Sequence, residues 1–345
     1  MGLTPRENAL MAYRHQIPAY IPCFFTDVIV TQACPSMERY TGHSVGKDFF
    51  GVEWTYEPNI HAPMPTPGKI MFEDIEDWRD YLKLPDLDAI DWEKQADIDV
   101  HTDFMAFVMG AGIVPFQDGS SIYDTDKLRV CMILNGPFER LHSLMGFENA
   151  LVALASDPEE CNAYFETMFN WKIEYIKKIA QYYDVDVINF HDDYGAADRM
   201  FMSPDLWRQI IKPHLKRLVD AVHEAGLIYQ HHSCGYVEPI LEDMAEIGVD
   251  AIDTLQACNK NLAQIKPRLQ DRLTFCGGFD NQGILDVPGV SAEAVKKEYR
   301  WVIDSLAPGG SYVIYPIGGA FDFVPAFLEE HFQYGMSFYA QNHQQ

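Results

Sequence analysis

The chain has 345 residues, is 48% hydrophobic and carries a formal net charge of −25. Such a length holds one large domain or two ordinary ones, and so acidic a surface repels nucleic acid and anionic membranes. No apolar run reaches the length of a membrane span, and the N-terminus lacks a signal-peptide pattern. The seven cysteines are odd in number, scattered and without a C-x-x-C pair. That argues against a disulfide framework and for a reducing, cytoplasmic setting.

Thr4-Pro5-Arg6-Glu7 predicts a capped helix running to about His15, with Pro5 at its first position and Glu7 closing a capping box. Residues 18–25 are the first strand candidate and residues 51–57 the second. Four prolines between 58 and 67 give a rigid loop, and residues 72–94 read as short acidic helical turns. The next strand candidate is Gly112 to Phe116. The whole excursion, about 58–127, is too long for a simple connection and is expected to form a lid. A strongly apolar strand at 129–135 precedes helices at 138–154 and 158–184, then a strand at 185–190. A helix from Ser203 towards Ala225 should kink or split at Pro213. From there strands at 227–232, 250–255, 273–277 and 311–316 alternate with helices at 237–247, 261–270, 291–306 and 325–341.

Alternating strand and helix means a parallel sheet, and eight such units fit an α/β fold of the (β/α)8 TIM-barrel type, one domain over residues 1–345. The rival open sheet lacks a G-x-G-x-x-G after its first strand. Polar residues collect at the C-terminal ends of the strands, where barrels place their active sites.

His231-His232-Ser233-Cys234-Gly235 closes the strand at 227–232. Residues two apart share a face of an extended chain, so His232 and Cys234 point the same way. An imidazole beside a thiol can hold zinc, although two satisfied polar residues at a strand end would look the same. Cys276 ends the next-but-one strand and is the geometric choice for a third ligand, with Cys258 as its alternative. A His-Cys-Cys set with an open fourth position is the pattern of catalytic zinc. His191-Asp192-Asp193-Tyr194 offers a general acid, a ligand or substrate hydrogen bonds. One Asp can instead cap the next turn, and Asp193 is the one expected to face the site. Gln256, Asp280, Phe279 and Trp54 are candidate substrate contacts at the same rim, the aromatic ones lining a cavity if they share it.

Several segments together resemble the uroporphyrinogen decarboxylase superfamily: TPRENALMAYR, DVINFHDDYGAADRMFMSPDLWRQ, YQHHSCGYVEPIL, RLTFCGGFDNQ and LAPGGSYVIYP. The resemblance implies a (β/α)8 barrel and spans nearly the whole chain. The arginine-rich RQAGRY motif of true decarboxylases is missing, since that region reads IPCFFTDVIVTQACPSMERY. HSCG is instead similar to the H-x-C of the corrinoid-dependent methyltransferases in the superfamily, which include coenzyme M methyltransferases and the methyltransferase component of O-demethylases. In the coenzyme M enzymes a cysteine after the last strand is a third zinc ligand; here that place reads PIGGAF, so only His232 and Cys234 carry over. The resemblance implies a cytoplasmic methyltransferase, zinc as its metal, and dimers, which are common in the superfamily. The chain has no D-x-H-x-x-G corrinoid-carrier signature, so cobalamin must arrive on a separate corrinoid protein. The favoured small methylated substrate is a phenyl methyl ether. The alternatives are a cofactor-independent decarboxylase, which needs arginines such as Arg140 and Arg199 in the pocket, and a non-catalytic binding barrel.

Overall fold

The computed structural model describes residues 2–58, 62–108, 114–316, 318 and 321–342. Ten strands occur among them: β1 (Val28–Thr31), β2 (Gly46–Lys47), β3 (Glu53–Glu57), β4 (Ala62–Pro65), β5 (Leu128–Ile133), β6 (Val187–His191), β7 (Ile228–Ser233), β8 (Ala251–Thr254), β9 (Thr274–Cys276) and β10 (Tyr312–Val313). Seven of them form one parallel sheet in the order β1-β5-β6-β7-β8-β9-β10. An isolated parallel bridge joins Cys23, five residues ahead of β1, to Ile314, just after β10; β1 and β10 themselves share no ladder among the described residues. Helices cover the outer face, and a separate apolar core, including Val30, Val130 and Val313, fills the inside. The N-terminal helix Pro5–Tyr13 contributes Ala9, Ala12 and Tyr13 to that inner core.

Two expected strands fall elsewhere. The first begins at Val28 rather than Pro18, because the Asp27 carboxylate accepts from the Cys23 backbone N–H and the Tyr20 and Thr26 hydroxyls. These bonds wind Phe24–Asp27 into a helical turn. Glu53–Glu57 joins a small antiparallel sheet, β2-β3-β4, and takes no part in the parallel one. Its partner Ala62–Pro65 was expected as loop. Two prolines are tolerated there because β4 is an edge strand and owes no ladder bond on its outer side. Residues 59–61 of the expected loop and the start of the candidate strand 112–116 lie outside the described residues; Pro115 makes only an isolated bridge, to Thr102.

Within the excursion, residues 75–100 form a strap. It lies along the long helix Pro158–Tyr182. Trp78 Nε1 donates to Glu160 (2.7 Å), Trp171 Nε1 to the Pro85 carbonyl (2.9 Å) and Lys178 Nζ to Asp88 (2.6 Å). Trp92 stacks on Tyr182 and lies tilted against Tyr175. The helix expected at 138–154 is broken by Gly146, whose φ of 86° favours glycine, into Pro137–Met145 and Phe147–Ser156. The helix after Ser203 splits at Ile211, with Pro213 in the first turn of its second half. No described helix is long and apolar enough to cross a membrane.

Candidate metal and active site

Register builds the site. His191, His232 and Asp253 stand side by side on β6, β7 and β8. His191 and His232 stack with ring centroids 3.8 Å apart and planes 8° from parallel. His232 Nδ1 hydrogen-bonds Asp253 Oδ2 at 2.8 Å, and its Nε2 lies 3.6 Å from Cys234 Sγ and 3.8 Å from Asp193 Oδ1. The ligand atoms of Asp193, His232 and Cys234 all fall within 4.8 Å of one another. The His232 side chain is 6% exposed and that of Asp193 30%, so the group is open on one side.

The loop after β7 is pinned into place. Asp193 Oδ1 accepts the Cys234 N–H (2.7 Å), Gln256 Oε1 accepts the Gly235 N–H (2.6 Å), and Asn259 Oδ1 accepts the N–H groups of Val237 and Glu238. A side chain at Gly235 would strike the Gly195 backbone, so the two loops touch main chain to main chain. Burial disfavours the His232 cation, but the charge and hydrogen bond of Asp253, helped by Cys234, outweigh it and hold the imidazole well above its usual range. Burial and Asp193 push the Cys234 thiol up, against the pull of His232.

The structure sorts the sequence candidates. Asp193 faces the His232–Cys234 pair, and Asp192 does not. Asp192 is buried, accepts the N–H groups of Phe138 and Glu139 at the start of helix Pro137–Met145, and takes the Tyr194 hydroxyl. Asp192→Ala should cost about 1–3 kcal/mol through the lost cap and orphaned donors, measured by chemical denaturation. Tyr194 donates its hydroxyl hydrogen bond to Asp192. It is fully buried, stacked on His231 (5.2 Å, 16°), and burial followed by the Asp192 charge raises its pKa well above normal. Tyr194→Phe should lower stability by about 1 kcal/mol and leave turnover unchanged.

Cys276 is not in the metal-ligand group, and Asp193 stands there instead. Cys276 lies in the inner core, where burial pushes its thiol well up. Cys258 is likewise outside the group and accepts from Asn259 Nδ2. Of the expected substrate contacts, Gln256 holds Gly235, Asp280 caps the following turn at Gly283, and Phe279 packs in the outer core against Phe327. Trp54 is 1% exposed, with Nε1 on Asp48 and the Arg39 guanidinium 5.2 Å from its ring.

Arg140 and Arg199 do not supply pocket cations. Arg140 is fully buried on Asp48 and Glu38, while Arg199 pairs with Asp198 on the surface. The arginine whose charge bears on the site is Arg39, through Asp193 and Glu139; sequence reasoning missed it, as it missed Glu139 and Asp253. Arg39 Nε and Glu139 Oε2 are buried without a hydrogen-bond partner among the described residues. Burial, then Asp193, raises the Glu139 carboxyl to about 8 against the opposing charge of Arg39. The one available signal was positional. Glu139 follows the β5 strand in G-P-F-E, and Asp253 is an acid inside a four-residue buried strand.

Comparison with known proteins adds three findings. A family model described as uroporphyrinogen decarboxylase (URO-D) matches residues 123–319. Over 128 residues the chain is 32% identical to methylcobamide:CoM methyltransferase MtaA of Methanosarcina barkeri, and 30% identical to the MtaA of its Fusaro strain. Each match covers 36% of this chain and 35% of the relative, so it spans about a third of the curated relatives' length. A methyltransferase from Methanosarcina mazei shares the fold with a TM-score of 0.68 at 16% identity, over 96% of this chain and 99% of that one.

Proposed function

The chain belongs to the uroporphyrinogen decarboxylase family, and from that premise we propose that it is a corrinoid-dependent methyltransferase. It moves a methyl group from a small methylated substrate, a phenyl methyl ether in the favoured case, to the Co(I) corrinoid of a separate partner protein. The observation that carries this reading is the Asp193–His232–Cys234 group at the strand ends. The bridge between Cys23 and Ile314 supports reading the parallel sheet as a (β/α)8 barrel closed by the segment around Cys23. Seven free thiols support a reducing, cytoplasmic placement, and the homodimer carried by the resemblance is tested by light scattering.

The donor set fits zinc. Bonds of about 2.0–2.3 Å at tetrahedral angles set ligand atoms about 3.3–3.7 Å apart, and here His232 Nε2 lies 3.6 Å from Cys234 Sγ and 3.8 Å from Asp193 Oδ1. Three protein ligands and one open side are the arrangement of a catalytic rather than a structural zinc. Bound there, the metal supplies Lewis acidity to the oxygen from which the methyl group departs. The rest falls to side chains. Asp193 holds the Cys234 N–H and so fixes the thiol beside His232. Arg39 Nε and Glu139 Oε2 are buried without a hydrogen-bond partner among the described residues, and the Glu139 carboxyl, pushed up to about 8, holds a proton at neutral pH that it can give to the leaving oxygen.

The test is metal content and methyl transfer. Purified protein should hold about one zinc per chain and methylate Co(I) cobalamin from phenyl methyl ethers. Protein that takes up no metal, and shows no transfer with any ether or corrinoid carrier, would sink the reading. A pH profile tests Glu139. Its protonated form is the active one, so turnover should fall as pH rises through about 8. Glu139→Gln should lose about 10²-fold in kcat and lose that fall.

A further inference from the structure

We propose that Asp253 is the positioning residue that makes His232 a metal ligand, by holding the imidazole proton on Nδ1 and leaving the Nε2 lone pair to the site. This rests on the metal reading above. Asp253 is completely buried at the level of His232 on the neighbouring strand. Its Oδ2 takes His232 Nδ1 at 2.8 Å; its Oδ1 takes Asn189 Nδ2 at 2.9 Å and Gln230 Nε2 at 2.8 Å. A carboxylate only accepts, so the ring nitrogen facing it must carry the proton. The other nitrogen is then the one beside Cys234 and Asp193.

The carboxylate cannot turn away, because its partners are themselves held. The Gln230 amide oxygen accepts from Tyr13 Oη (2.5 Å), and the Asn189 amide oxygen from His191 Nε2 (2.8 Å). His191 then lies flat on the His232 ring, so the plane of the ligand is fixed along with its protonation. The chain Tyr13–Gln230–Asp253–His232 runs from the N-terminal helix through the barrel interior to the metal group. Such outer partners of a ligating histidine commonly govern metal affinity.

Asp253→Asn separates positioning from mere packing. The asparagine keeps its oxygen for the Asn189 and Gln230 amides and so turns its NH2 towards His232 Nδ1. That favours the tautomer protonated on Nε2, the wrong nitrogen for a ligand. Zinc and cobalt(II) affinities, read by competition with a chromophoric chelator, should fall about 10–100-fold. In zinc-saturated protein the far-downfield Nδ1 proton resonance of His232 should be lost or shifted upfield. Gln230→Leu removes one of the three donors and should weaken metal binding in the same direction but by less; it decides the matter if Asp253→Asn does not fold. A folded Asp253→Asn that binds zinc within twofold of wild type overturns the role of Asp253 alone. A wild-type protein that takes up neither ion overturns the metal reading and this role with it.

Discussion

Cys234→Ala and His232→Ala are each expected to purify without metal and to lose methyl transfer by about 10³-fold or more. Lewis-acid assistance to a departing oxygen is worth several kcal/mol, and each 1.36 kcal/mol is a factor of ten in rate. Removing one of three protein ligands leaves two, too few for a stable zinc centre. The imidazole sits on strand β7, and the thiol on the loop after it, whose main chain is held by Asp193, Gln256 and Asn259. Neither truncation therefore needs to disturb the backbone, and melting temperatures should stay near wild type while metal content, read by atomic emission, falls to background. Full activity in Cys234→Ala with a bound metal would remove the thiolate from the mechanism.

Arg140→Met should destabilise the fold by about 3–5 kcal/mol, the usual cost of leaving buried charges without their partner. Arg140 Nη1 bonds Asp48 (2.5 Å) and Nη2 lies 3.2 Å from Glu38, whose other oxygen takes Lys172 Nζ (2.5 Å). All four side chains are at most 4% exposed. The set is neutral, two cations against two carboxylates, so deleting one cation leaves a net buried negative charge beside the site. Urea denaturation reads the loss. Asp48 also holds the Trp54 indole, and Glu38 adjoins Arg39, so the segment before the small sheet should loosen first.

Much of the parallel sheet was visible in the sequence because buried parallel strands read as short apolar runs between turn residues. Val187–His191 and Ile228–Ser233 fall within one or two residues of expectation. The N-terminal part was misread because side chains overrode local propensity. Asp27 winds a helical turn where apolar residues suggested a strand, and the prolines of β4 hide an edge strand. The site was half visible. His232, Cys234 and Asp193 announce themselves as metal-ligand types at strand ends, and their sharing one cluster is a matter of strand register. Cys276 failed because it sits inside the core, a position that an apolar thiol tolerates well. Arg39, Glu139 and Asp253 were missed because a lone charged residue in a linear sequence gives no hint of burial beside another.

The N-terminal helix has a temporal consequence. Tyr13 donates to Gln230, 217 residues later, and the Ala12 carbonyl accepts from Thr274, 262 residues later. At about 5–20 residues per second, synthesis must run for roughly 10–50 s before those partners leave the ribosome. During that interval the helix that will pack into the inner face of the curled sheet has nothing to pack against. Its Ala9, Ala12 and Tyr13 face remains a hydrophobic handle for whatever guards nascent chains. Stalled chains ending before Gln230 should be cut by protease within residues 5–13, and chains extended well past Thr274 should be protected there; equal cleavage at both lengths would show that the helix docks on some earlier partner.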